Sequence, residues 1–268
     1  MTVYEKYIKR ILQLEKNFQV TTSGRSFLNA PIFTVKPFDT KPRVLITAAI
    51  HAREYVTTFM LLDLIERFGN LPVEYVPMAN PDGVRLATEG KAFYQTYKDK
   101  LTDTERKVVE TSNLLLWKAN ARCVDLNVNF DAGWGKGEKN ATKAGSENYI
   151  GDKPFSEFES KVLKRLSLDK KCVICYHSLG EEIYYGYNNE VGKAEAKMLS
   201  EKTGYAYKTA KGSHGGHKDW FIKTGLGIGL TVEVGSENLR HPIGIEKAER
   251  LADENEGIKD VLREFKYV

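Results

Sequence analysis

The chain contains no run of about 18 apolar residues, so nothing in it reads as a membrane-spanning helix. Its first residues, MTVYEKYIKRILQLEKN, lack the continuous apolar stretch of a secretory leader, and the expected location is cytoplasmic. No Pro-, Gly- or Ser-rich linker divides it and no internal repeat or low-complexity tract appears, which leaves one domain over residues 1–268. No block of like charge stands out either. The net charge is +4 and the pI near 8.7, but 40 basic residues are scattered among 36 acidic ones, which argues against a nucleic-acid or membrane-surface partner. Cysteine is scarce: Cys123, Cys172 and Cys175 are an odd set that suits a reducing compartment better than a disulfide framework. Cys172 and Cys175 form a CxxC inside the strand-like KKCVICYHS, where residues three apart point to opposite faces, so the pair reads as buried core and not as half a metal site.

What is present is a long chain, 41% hydrophobic and 28% charged, able to bury one sizeable core. Helical spacing over 3–17 opens it, followed by extended segments over 19–35 punctuated by Gly24 and Pro31. RVLITAAI (43–50) is a continuous apolar run typical of a strand buried on both faces, and EYVTTFMLLDLIERFG continues as a helix closed by glycine. The pattern predicts further strands at 73–80, closed by a turn at Pro81-Asp82-Gly83, at 123–128, at 170–178, at 181–187 on an edge, and at 226–235. Helices are predicted at 154–168, near 190–203, at 218–224 and on to the C-terminus. This alternation implies an α/β fold: a mixed, mostly parallel twisted sheet with helices on both faces.

In such folds ligands sit outside the carboxyl ends of the strands, and the unexpected polar residues fall there. ITAAIHAREYVTTFMLLDLI breaks its apolar pattern at His51, Arg53 and Glu54; His177 ends another strand, and Glu233 lies near the end of the last. A catalytic zinc takes three N or O ligands and keeps one position open, and His, His and Glu is such a set. His51 and Glu54 flank a strand-to-helix turn and can converge on one point, with His177 as the natural third ligand. The alternative makes His51 a turn residue and Glu54 a first-turn helix acid favoured by the dipole. Similarly, Glu233 in an apolar strand can be a buried acid paired with Arg122 or Arg53.

Six tracts in fixed order, HARE, NPDG (80–83), ARCVDLNVNF (121–130), YHS (176–178), DWF (219–221) and TVEVG (231–235), together resemble the zinc carboxypeptidase family. The resemblance runs from about residue 20 to 235. It implies one zinc per chain held by His51, Glu54 and His177, with Glu233 as general base acting on a zinc-bound water. It also implies that Arg122 stabilises the oxyanion and that Asp82 and Asp125 support the zinc histidines and their loops.

The chain departs from the family's digestive members. They follow an asparagine with an arginine to clamp the substrate's terminal carboxylate; here Asn127 is followed by Val128. Leu179 stands where a tyrosine often follows the His-Ser pair, and Lys211 stands about where a mobile tyrosine is expected. HSLGEEIYYGY, YIGDKPFSEFES, DWFIKTGLGIGLTVEVG and NLRHPIG (238–244) look instead like the bacterial branch that cuts the γ-D-glutamyl to diaminopimelate bond of murein peptides. The implied substrate is a small acidic peptide, with Arg53, Asn127, Ser178 and Lys211 as contacts and His214, His217 and Arg240 as further anion candidates. GSHGG (212–216) lacks the ending of a phosphate loop and reads as a lid; Ser178 lacks a nucleophile elbow. Two other readings stay open: a carboxypeptidase acting on ordinary peptide C-termini, and an idle peptide-binding module.

Overall fold

The computed structural model describes residues 1–236 and 238–265. Helix α1 (Val3–Leu14) starts where Thr2 and Glu5 form a reciprocal capping box, and it buries Tyr7, Ile11 and Leu14. Strands β1 (Gln19–Arg25) and β2 (Pro31–Lys36) form an antiparallel hairpin, with Pro31 at its first position, where a missing N–H disturbs least. β3 (Val44–Thr47) is buried throughout, and α2 (Val56–Phe68) ends at Gly69, whose φ of 60° favours a residue without Cβ. β4 (Val73–Val76) is followed by α3 (Pro81–Glu89), α4 (Lys91–Gln95) and α5 (Asp103–Thr111). Then come α6 (Phe158–Ser167), β5 (Cys172–Ser178), β6 (Glu182–Tyr185), α7 (Lys193–Thr203), β7 (Ala206–Thr209), α8 (His217–Lys223), β8 (Ile228–Val234), α9 (Ala248–Asn255) and α10 (Ile258–Glu264).

The eight strands make one sheet in the order β1-β2-β4-β3-β5-β8-β6-β7. β4, β3, β5 and β8 run parallel at its centre, which brings their carboxyl ends to one edge. Alternate residues go to opposite faces. Ile46, Ile174, Leu230 and Val232 pack with α1, α2, α7, α9 and α10, while Leu45 and Val173 pack with α6 and α8. A third cluster around Trp117 gathers α3, α4 and α5 beside the sheet. All three cysteines are free and buried, Cys172 in the first cluster and Cys175 against His217 on the opposite face. No helix among the described residues is long and apolar enough to cross a membrane.

Several sequence expectations need correction. Pro81-Asp82-Gly83 is not a turn after a strand but the first turn of α3: Asn80 caps it by accepting from the Gly83 N–H, with Pro81 in the first helical turn. Residues 123–128 form no strand. The Asp125 carboxylate takes the N–H groups of Asn127 and Asn148, and Cys123 adopts φ 65°, so side chains and not a ladder hold this loop. The segment 181–187 is not an edge: β6 lies between β8 and β7, and the exposed β7 takes the edge. The helix expected from 154 begins at Phe158, after Phe155 turns left-handed at φ 55°.

Candidate active site

β3 delivers the chain to a strained seam. Ala49 holds φ 49°, an uncomfortable value for a residue with Cβ, and the Thr57 hydroxyl fixes it by accepting its N–H at 3.0 Å while donating to the Glu54 carbonyl at 2.7 Å. The Asn80 amide donates to the carbonyls of Ile50 and Ala119, each at 3.1 Å, tying the seam to α3 and to the 117–122 loop. A 3-10 turn, Ala52–Glu54, then swings the Glu54 carboxylate back to within 2.8 Å of His51 Nδ1. His51 makes no capping bond with its side chain, so the polar break in the apolar run is not a helix cap.

β5 brings the third group from the neighbouring strand. His177 Nδ1 lies 3.1 Å from both His51 Nδ1 and Glu54 Oε2, and the Ser178 N–H donates to the same Oε2 at 3.3 Å. The three side chains are buried, and one ligand atom from each lies within 4.8 Å of the others. Burial opposes the Glu54 charge, yet His51 and His177 outweigh it and hold the carboxyl well below its ordinary range. An imidazole that gives up its proton presents a lone pair, and two such nitrogens facing a buried carboxylate form a donor set that a divalent cation of zinc type completes. The donors therefore fit zinc.

Asp125 stands behind the triad. Its Oδ1 lies 3.3 Å from His51 Nε2 and its Oδ2 2.8 Å from Lys118 Nζ. Burial raises the Asp125 pKa, but the charges of Lys118 and His51 carry it well below the usual range, so a fixed carboxylate aligns the imidazole. Sequence reasoning overlooked Lys118, whose only signal was its place just ahead of the ARCVDLN tract. The residue is half-buried and lines the cavity at His51.

Glu233 is the register partner of His177, on the face that α8 covers. Its carboxylate makes no hydrogen bond or ion pair among the described residues, and the residue keeps surface open to the cavity. Burial, followed by the Glu54 charge and countered by His177 and Lys118, pushes its carboxyl up to about 7. Two adjoining lobes meet here: one of about 280 Å³ carrying His51 and Lys118, and one of about 550 Å³ carrying Glu233. Asn127, Lys211 and Ser213 line both, so Lys211 stands at their division, while His214 lines the smaller lobe and bonds the Tyr187 hydroxyl at 2.8 Å.

Other sequence candidates lie elsewhere. The Arg122 guanidinium faces Glu105 at 3.3 Å and Glu157 at 3.6 Å and stacks on Phe27, and none of these lines the two lobes. Asp82 accepts the Leu28 N–H at 2.8 Å and braces that loop, with no contact to the histidines. His217 is core, stacked on Phe130 and bonded to Ser167 at 2.8 Å, with burial driving its pKa down to about 3. Arg53 reaches Glu147 at 3.4 Å, the Ser178 hydroxyl is buried without a partner, and Arg240 is exposed.

Known proteins share this arrangement of chain. The γ-D-glutamyl-L-diamino acid endopeptidase 1 of Lysinibacillus sphaericus is 28% identical, the match covering 94% of this chain and 68% of the relative. Bovine thrombin-activatable fibrinolysis inhibitor, solved with tick carboxypeptidase inhibitor, superposes with a TM-score of 0.76 at 20% identity over 98% of this chain and 96% of that one. Murein-tripeptide amidase MpaA from Escherichia coli O157 does so with a TM-score of 0.62 at 23% identity over 91% of each chain. The zinc carboxypeptidase family model matches residues 4–249, taking in every element that places His51, Glu54, His177 and Glu233, and this chain belongs to that family of metallopeptidases.

Proposed function

We propose that this peptidase hydrolyses an amide bond in murein-derived peptides, namely the γ-D-glutamyl to diaminopimelate linkage, inside the cell that recycles them. The observation that carries the reading is Lys211: a lysine with no ion pair among the described residues, at the division of two polar lobes, where Val128 removes the usual carboxylate clamp. A substrate with several carboxylates suits such a site. The name of the Lysinibacillus relative, an endopeptidase for a γ-D-glutamyl bond to a diamino acid, supports the same substrate class.

His51, Glu54 and His177 would hold the zinc, which when bound acidifies water and polarises the scissile carbonyl. Asp125 orients the His51 ring through Nε2. Glu233 accepts the proton of the attacking water and hands it to the leaving nitrogen. Lys118, and not Arg122, supplies the fixed positive charge for the developing oxyanion, because Lys118 lines the cavity and Arg122 is committed to Glu105 and Glu157. Asn127, which lines both lobes, stays as a substrate contact, with Lys211 as the carboxylate contact.

The test is incubation of the zinc-loaded protein with L-alanyl-γ-D-glutamyl-diaminopimelate and with an α-linked peptide, following the released amino acid. Hydrolysis of the γ-linked peptide is expected. Release from the α-linked peptide alone would make the chain an ordinary metallocarboxypeptidase, and a zinc-loaded protein that binds both and cleaves neither would be the idle module.

A further inference from the structure

The GSHGG segment (212–216), which the sequence presents as a lid, is fastened to its neighbour. Gly215 donates its N–H to the Ala132 carbonyl at 2.8 Å, and its own carbonyl accepts the Phe130 N–H at 3.0 Å. Further along, the Gly212 carbonyl accepts the Glu138 N–H at 3.3 Å. The chains lie so close that a Cβ at Gly215 would come within 2.6 Å of the Val128 carbonyl oxygen, so only glycine keeps this pairing. After the segment, the Asn127 side-chain oxygen accepts the His217 N–H at 3.2 Å; before it, β7 closes in register on β6, with Thr209 opposite Tyr185. Lys211 therefore stands on a backbone held on both sides.

One side-chain bond joins this seam to the core. The Tyr187 ring packs on the cluster that holds Phe130 and Trp220, and its hydroxyl meets His214 Nδ1 at 2.8 Å with the two rings edge to face. Both groups fill the space over Gly133, where a Cβ would come within 2.5 Å of Nδ1 and 2.7 Å of the hydroxyl. Three of the five residues in GSHGG are glycine, the residue with the most backbone freedom to lose, so its order needs a tie from outside. Neither Tyr187 nor His214 has a part in the hydrolysis described above.

We propose that Tyr187 and His214 are positioning residues: their bond holds the segment against the 130–138 loop in the free protein, so that Lys211 stands at the division of the two lobes before substrate arrives and no lid opens or closes there. A lid gives up conformational freedom each time it captures substrate, whereas a segment already ordered gave it up on folding. Removing the tie leaves the triad, Asp125 and Glu233 as they are and frees the backbone under Lys211. Binding weakens and the chemical step does not. This role rests on the reading of Lys211 as the carboxylate contact and adds that the contact is set in advance by residues that touch no substrate.

The experiment follows the zinc-loaded full chain with L-alanyl-γ-D-glutamyl-diaminopimelate. Y187F, which keeps the ring and removes the hydroxyl, is expected to raise KM about fivefold with kcat held to within about twofold, one hydrogen bond lost from binding alone. In a K211M background the same substitution should move KM by less than about twofold, because Tyr187 acts through Lys211. Hydrogen exchange at the Phe130 and Gly215 amides should be slow in the free protein, no slower once the peptide saturates zinc-loaded E233Q, and at least about tenfold faster in Y187F. Exchange that is fast in the free protein and slowed by the peptide would make the segment a lid and overturn the assignment; so would an unchanged KM in Y187F, a fall in kcat in its place, or a KM effect undiminished in K211M. If the peptide is neither bound nor cleaved, the substrate reading fails by itself, and exchange in free wild type against free Y187F decides the tie: equal rates overturn it, and faster exchange in Y187F upholds it.

Discussion

Lys118 and Arg122 lie in one loop, yet their charges are spent on different partners. Lys118 meets Asp125 beside the triad, whereas Arg122 meets Glu105 and Glu157 behind it. K118Q is therefore expected to lose about 10²–10³ in kcat while keeping its zinc, because a preorganised charge is removed from the developing oxyanion. K118R should recover part of the loss, and metal analysis separates this from any disturbance of His51 through Asp125. R122Q should hold kcat to within about threefold and instead lose about 1–3 kcal/mol in urea unfolding, since the buried Glu157 forfeits its cation. Glu233 makes the sharpest single case: E233Q keeps the ligand set and should lose about 10²–10⁴ in kcat at unchanged zinc stoichiometry. Retained turnover in E233Q would dismiss it as the base.

At the scale of elements, two helices answer to buried polar groups. Asn80 caps α3 and holds two carbonyls, so N80A should cost about 2–3 kcal/mol, more than an exposed cap, and loosen the seam that aims His51. Helix α6 buries Glu159 completely, with neither oxygen in a hydrogen bond, while the adjacent Asn120 amide is spent on Glu157. Burial, reinforced by Asp82 and Glu157, pushes the Glu159 carboxyl from an ordinary 4.5 up to about 8. The folded chain then keeps a proton that the unfolded chain has lost, so this group's contribution to stability falls as pH climbs from about 4.5 to about 8. E159Q should match the wild type to within about 1 kcal/mol at pH 5 and exceed it by about 2–4 kcal/mol at pH 8.5 in urea titrations. Equal pH slopes would show that Glu159 is already ionised when folded.

For the whole molecule, the triad joins β3, the 3-10 turn and β5, so a metal bound there stabilises the centre of the sheet. Binding to the folded chain alone adds about 4 kcal/mol at a free metal concentration 1,000 times Kd. A chelator is expected to lower the melting temperature of the wild type and to leave H177A unmoved; an identical chelator shift in H177A would place the metal elsewhere. The continuous apolar runs of β3, β5 and β8 made the parallel centre legible, since strands buried on both faces have few alternatives. The polar breaks at His51, Glu54 and His177 were legible for the same reason, because charge at the end of a buried strand demands a partner, whereas the Glu233 carboxylate stays unpaired beside the cavity. Helices α4 and α5 were not anticipated, and the loop over 123–128 passed for a strand because its apolar residues alternate while Asp125 does the folding.

The chain's own residues thus determined the fold class and the chemical type of the site, through periodicity and residue types that act over a few positions. Tertiary structure alone decided which cation faces the site, that Asp82 and His217 serve the framework, that β7 and not β6 takes the sheet edge, and that Lys218 ends up beside Asp219 under a glycine of β8. The physical reason is reach. A motif places a backbone position, but a long charged side chain settles where a distant partner offsets the cost of burying it, and that partner is unknown until the strands are laid side by side.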